Sequence, residues 1–181
     1  FHNTAFGYLE KTLNLVNQHG YDFLLTRETL LGLKDREMIY PLLLAAFENG
    51  IETETITRLL RMRRLDPCIY HPGYSLWIST LGQFKVWRGD HLIDSQSWKR
   101  EKARQLLQLL VAHREKWLHR DQINNMLWAD TSVDNATNYL KVVFNSMNQV
   151  LEPNRPRCEA PFFILRNQDI YRLNPKARII V

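Results

Sequence analysis

WKREKARQLLQLLVAH (98–113), HRDQINNMLW (119–128), VDNATNYLKVVFNSMNQVLE (133–152) and PFFILRNQDIYRL (161–173) are the stretches whose reading decides the fold. In the first, Ala103, Leu106, Leu107 and Leu110 recur at helical spacing and form a buried stripe. Ser95 or Ser97 can cap that helix, with Glu101 well placed in its early turns. Ile123, Met126, Leu127 and Trp128 pack the second. In the third, Ala136, Leu140, Phe144, Met147 and Leu151 share one face of a helix of about 19 residues, roughly 28 Å long. That exceeds what a core of three small helices needs, so part of it projects. The fourth stretch flanks the polar Asn167-Gln168-Asp169 with apolar runs and reads as a β-hairpin.

Three helices closed by a strand pair make a winged helix-turn-helix, and the preceding residues fit this. Segments 76–81, 84–88 and 92–94 alternate or run apolar between Gly-containing turns, as three short strands of an antiparallel sheet. Arg88-Gly89-Asp90 spells an adhesion tripeptide, but Gly-Asp is ordinary hairpin chemistry. His119-Arg120-Asp121 matches the start of a kinase catalytic loop, but Met126 stands where that loop needs Asn. We read it as a helix N-terminus. Asn135-Ala136-Thr137 is formally a glycosylation sequon, without use on a cytosolic helix.

The first seventy residues differ. Tyr8, Leu9, Leu13 and Val16 recur at helical spacing up to His19-Gly20, where Gly20 suits a C-cap. A second helix includes 21–25. Asp35 can cap a third, which begins or kinks at Pro41 and stops at Asn49-Gly50. A fourth spans 52–63, with Ile51, Thr55, Ile56, Leu59 and Leu60 on one face. Short helices joined by Gly turns suggest antiparallel pairs, as in an α-solenoid of the TPR kind, although no clean 34-residue repeat is present. Arg58, Arg61, Arg63 and Arg64 form a basic cluster, either a solvated helix end or a contact to DNA backbone or another domain. Residues 66–73 hold two prolines and a glycine and read as a linker. The expected organisation is α+β: a helical-repeat-like segment at 1–70 and a DNA-binding domain at 71–181.

The totals bound the function. The chain of 181 residues can bury a real core without staples. No apolar run reaches the length of a membrane span, so no membrane partner is expected. The start, FHNTAFGYLE, lacks an initiator Met and a basic leader, and reads as a piece of a longer protein. Cys68 and Cys158 stand far apart without ligand spacing, as free thiols of a reducing, cytoplasmic compartment. Residues 1–70 carry 8 Lys/Arg against 9 Asp/Glu, a net charge of −1, whereas 71–181 carry 16 against 10, a net of +6. The basic excess lies in the half with the helix–hairpin pattern and favours a polyanionic partner there. No nucleophile–base pair, metal-ligand set or phosphate loop is present, so neither an enzyme nor a cofactor is expected.

Within that half, Lys99, Arg100, Lys102 and Arg104 crowd the first helix start and can reach phosphates, which position a protein without reading sequence. The third helix carries Asn138, Lys141, Val142, Asn145, Ser146 and Asn148 on the face opposite its apolar stripe. Asn pairs bidentately with adenine, Lys reaches guanine or phosphate, and Val touches the thymine methyl. Arg166 and Arg172 in the hairpin can enter a minor groove or grip phosphate, and Arg155 and Arg157 are weaker candidates.

LGQFKVWRGDHLI (81–93), the helices of 98–128, NYLKVVFNSMNQVLEP (138–153) and FFILRNQDIYRL (162–173) together resemble the OmpR/PhoB-type winged-helix DNA-binding domain. The version is that of large bacterial transcriptional activators with MalT-like or antibiotic-regulator-like architecture. The resemblance covers 75–174, and 1–70 are similar to the end of the helical-repeat arm of such activators. It implies that 135–151 is the recognition helix in the major groove and 161–173 the wing on the minor groove or backbone. Asn138, Lys141, Asn145, Ser146, Asn148 and Arg166 match the DNA-contacting positions. The family pattern has several Arg around Asn145, Ser146 and Asn148, and here there are none. Fewer cations imply fewer phosphate contacts and a shallower salt dependence, with dimerisation or other domains supplying the rest. The rival expectation is a protein-interaction module, binding RNA polymerase or a second copy of the chain, with incidental DNA contact.

Overall fold

The computed structural model describes residues 2–30, 32–66 and 68–181. Phe1, Leu31 and Pro67, the last in the stretch expected to be a linker, lie outside the described residues. The protein is mixed α/β and divides into two compact units, Phe1–Tyr74 and Ser75–Val181. No helix among the described residues is long and apolar enough to cross a membrane.

The first unit is helical: α1 (His2–His19), α2 (Asp22–Thr26), α3 (Tyr40–Glu48) and α4 (Thr53–Met62), with a 3₁₀ turn at Arg36–Ile39. Leu9, Leu13 and Val16 are buried at the expected spacing, whereas Tyr8 faces out. Gly20 adopts φ 67° after α1, a conformation that suits glycine. Asp35 accepts the Glu37 N–H at 3.0 Å and caps the 3₁₀ turn that feeds α3. Pro41 sits in the first turn of α3, where its missing N–H is not needed, so α3 begins there rather than kinking. Thr55, Ile56, Leu59 and Leu60 form the buried face of α4.

Three members of the basic cluster are occupied inside this unit. Arg58 pairs with Asp22 at 3.0 Å, and Arg61 with Asp66 at 3.2 Å. Arg63 donates to the Tyr40 hydroxyl at 2.7 Å and pairs with Glu37 at 3.4 Å. Arg58 and Arg63 tie the α4 segment to α2 and α3, whereas Arg61 stays largely exposed beside Asp66. His71 is buried, accepts the Gly73 N–H on Nδ1 at 2.9 Å, and holds Nε2 3.2 Å from Glu37. Its ring packs edge-on against Tyr40. The described part of 66–73 is therefore anchored to the helices, and the division falls after Tyr74.

The second unit opens with β1 (Leu76–Ser79), β2 (Lys85–Arg88) and β3 (His91–Leu92) and ends with β7 (Ile179–Ile180). They form one sheet in the order β3-β2-β1-β7, antiparallel except for the parallel β1–β7 pair. Leu76, Ile78 and Val86 are buried. On the opposite face, Leu92, Trp87, Trp77 and Ile180 are successive register partners and none is buried. They make an apolar row across all four strands.

Between these strands lie α5 (Glu101–Ala112), β4 (Leu118–His119), α6 (Arg120–Leu127), α7 (Val133–Leu151), β5 (Ile164–Asn167) and β6 (Ile170–Leu173). The second sheet has the order β4-β6-β5. Ala103, Leu106, Leu107 and Leu110 of α5 meet Ala136, Leu140, Phe144, Met147 and Leu151 of α7 in a common buried set. The helix starts differ from expectation. Asp94, not a serine, caps a 3₁₀ turn at Ser95–Ser97 by accepting the Gln96 N–H at 3.2 Å. The α5 helix follows Arg100 without a side-chain cap. In α6, Met126 is 54% exposed, and Ile123 and Asn124 are the buried positions, because this short helix turns one narrow side inward.

Candidate nucleic-acid interface

The long helix α7 and the β5–β6 hairpin are fixed to each other at two levels. Phe144 and Tyr171 pack edge-to-face with ring centroids 5.2 Å apart. Burial raises the Tyr171 hydroxyl above its usual pKa. Past the end of α7, the buried carboxylate of Glu152 accepts the N–H groups of Phe162 at 2.9 Å and Phe163 at 3.0 Å. Burial raises the Glu152 carboxyl above the usual carboxylate range, and those two N–H groups and Arg155 offset only part of this. The Asn174 carboxamide donates to the Phe162 carbonyl at 2.7 Å, a further bond to the same strand entry.

The hairpin turn is fixed to α6. The Arg120 N–H donates to the Asp169 carbonyl at 2.7 Å, and its guanidinium meets the Asp169 carboxylate at 3.0 Å. His119 and Gln122 cap the start of α6: Gln122 accepts the His119 N–H, and the His119 ring accepts the Asp121 N–H. At the other end, Lys102 of α5 donates to the Leu127 carbonyl at 2.8 Å. Two helices and the hairpin thus hold α7 in a defined frame.

Against this frame the anticipated site residues separate. Asn138, Lys141 and Asn145 are exposed on α7, and Ser146 is half-buried. Asn148 is a correction: it is fully buried and donates to the Phe144 carbonyl at 2.9 Å. It stands four residues after Phe144 and three before Leu151, which places it within the inward stripe. Lys99 and Arg100 are exposed, but they precede α5 rather than lie on it. Arg104 is held by Glu101 through its Nε and Nη2, so its charge is largely offset by a neighbour. Lys102, grouped with them in the sequence, has the structural partner already described. Arg166 is exposed at the hairpin, with its guanidinium 5.6 Å from the Tyr171 ring centre. Arg172 is half-buried and lies 5.1 Å over the Trp117 ring.

Sequence reasoning missed Gln149, exposed on α7 eleven residues after Asn138 and so on the same side of the helix. The 138, 142, 145, 149 spacing was the available signal. It also missed Glu152, Arg120 and Asn174, whose roles depend on backbone groups distant in sequence. Among the described residues, no group of three or more His, Cys, Asp or Glu could hold a metal ion. What the surface offers is hydrogen-bonding and cationic side chains on a rigid helix and hairpin. No family model, no curated protein and no solved structure matches the chain.

Proposed function

We propose that the second unit is a winged-helix domain that binds duplex DNA as part of a transcriptional regulator, an activator by its resemblance to the OmpR/PhoB type. In this reading α7 enters the major groove, the β5–β6 hairpin is the wing, and the helices of the first unit end a repeat arm. The observation that carries it is the outer face of α7, where Asn138, Lys141 and Asn145 are exposed on a helix braced by the hairpin. A rigid helix presenting groups that can bond base edges is what direct readout requires. Lys99, Arg100 and Arg166 supply exposed cations for phosphates.

A second reading, a protein-interaction module contacting RNA polymerase or another copy of the chain, draws on the apolar row Leu92–Trp87–Trp77–Ile180. Exposed apolar surface of this kind marks interaction sites. Fluorescence anisotropy of the chain against labelled duplexes, titrated with salt, separates the two. Affinity that falls linearly in log salt and is lost in Lys141→Ala with Asn145→Ala supports the DNA reading. Indifference to both substitutions refutes it in favour of the second.

A further inference from the structure

We infer, on the strength of the DNA reading above, that the base pairs contacted by α7 are predominantly A·T, chosen by Asn138, Val142, Asn145 and Gln149. These four residues stand at i, i+4, i+7 and i+11 and are all exposed. At 3.6 residues per turn they fall within an arc of roughly 60°, a straight stripe about 16 Å long. That length matches about five base pairs at the 3.4 Å spacing of duplex DNA. Along its 19 residues α7 carries only two charged side chains, Asp134 and Lys141. A helix face kept in water for solubility alone has no need to be carboxamide-rich and nearly uncharged.

The carboxamides on this face contrast with those turned inward, whose N–H groups are used inside the fold. Among the described residues, Asn124 donates to the Thr137 hydroxyl and Asn148 to the Phe144 carbonyl, and both are buried. Asn138, Asn145 and Gln149 point outward with their donor and acceptor available. Adenine presents an acceptor at N7 beside a donor at N6, which a carboxamide matches with one N–H and its carbonyl. Guanine presents two acceptors, N7 and O6, which a guanidinium or ammonium matches better. The stripe holds no Arg, and Lys141 lies at its edge. Val142, between the amides, has the methyl groups to meet the thymine methyl.

The test is selection of the chain on a random 20-base-pair duplex pool, followed by affinities for the enriched sequence and for its core with G·C in place of A·T. The expected result is a core of four or five A·T pairs, with G·C replacement weakening binding at least tenfold per contacted pair. In Asn138→Ala with Asn145→Ala, that preference should fall to a few-fold while the salt dependence stays unchanged. Tight selection of a G·C core, or of no core at all, overturns the inference and leaves duplex binding standing. An A·T preference retained in the double variant also overturns it, since groove shape would then be the source. Absence of duplex binding at any salt overturns both the inference and the DNA reading beneath it.

Discussion

Glu152 holds Phe162 by its backbone: Oε1 accepts the Phe162 N–H at 2.9 Å from a position with almost no solvent contact. Phe163 donates to the same oxygen. One side chain past the end of α7 thus sets where the hairpin starts. Removing it in Glu152→Ala leaves two buried N–H groups without that acceptor, and we expect a loss of about 3 kcal/mol in urea unfolding. Glu152→Gln keeps one acceptor oxygen and should lose less. The sign with pH is fixed by the raised carboxyl. As pH falls from neutral, the folded chain takes up this proton before the unfolded chain does. The wild type therefore gains stability relative to Glu152→Gln through that window, and the gain is complete below the unfolded pKa. A stability gap that stays constant with pH contradicts this.

Much of this architecture is written in the spacing of the apolar residues. The stripes Ala103/Leu106/Leu107/Leu110 and Ala136/Leu140/Phe144/Met147/Leu151 are buried as periodicity requires, because burying a long apolar face dominates local choice. The hairpin at β5 and β6 is paired from Ile164↔Leu173 to Asn167↔Ile170. Strands β4 and β7 were not legible, since two residues each carry no periodic signal and no Gly turn marks them as Gly89 marks the equally short β3. Caps were read less well than stripes: the serines expected to cap α5 lie in a separate 3₁₀ turn capped by Asp94, and α5 itself starts after Arg100 without a side-chain cap. Of the side chains expected on the outer face of α7, Asn138, Lys141 and Asn145 are exposed and Asn148 is buried. Chemistry alone makes Asn145 and Asn148 equivalent, and only their angular position on the helix separates them.

That separation yields a paired prediction. Asn145→Ala should leave the unfolding midpoint within experimental error and weaken binding to a selected duplex about tenfold, as the loss of one bidentate base contact does. Asn148→Ala should do the reverse. It removes the bond to the Phe144 carbonyl and should lose about 1–2 kcal/mol of stability, with duplex affinity of the folded protein unchanged. Urea titration and anisotropy on the same two proteins decide it, and equal effects on binding would return Asn148 to the contact surface.

The two hairpin arginines should also part company. Arg166 is exposed, whereas Arg172 is half-buried over the Trp117 ring. If Arg166 meets a phosphate, Arg166→Ala reduces the slope of log affinity against log salt by about 1. Arg172→Ala should instead lose the contact with Trp117, lowering stability by about 1 kcal/mol and barely moving the slope. Slopes measured over several salt concentrations for the wild type and both variants give the answer. A slope change in Arg172→Ala alone would reverse the assignment.

In the first unit, His71 should be a structural tie whose two nitrogens do different work. Nδ1 accepts the Gly73 N–H, which places any ring proton of the neutral form on Nε2, facing Glu37. Glu37 is itself buried between this ring and Arg63. His71→Ala takes one partner from a buried carboxylate and should destabilise the unit by about 3 kcal/mol. The two isosteric halves can be restored separately. His71→Asn offers an acceptor near the Nδ1 position, and His71→Gln a donor near the Nε2 position. We expect Gln to recover more, because a buried carboxylate left short of a donor is penalised more than a backbone N–H at the edge of a turn. Hydrogen exchange of α3 and α4 in the full chain reads this locally. Greater recovery by Asn would mean that the Gly73 turn, not the Glu37 contact, is what His71 maintains.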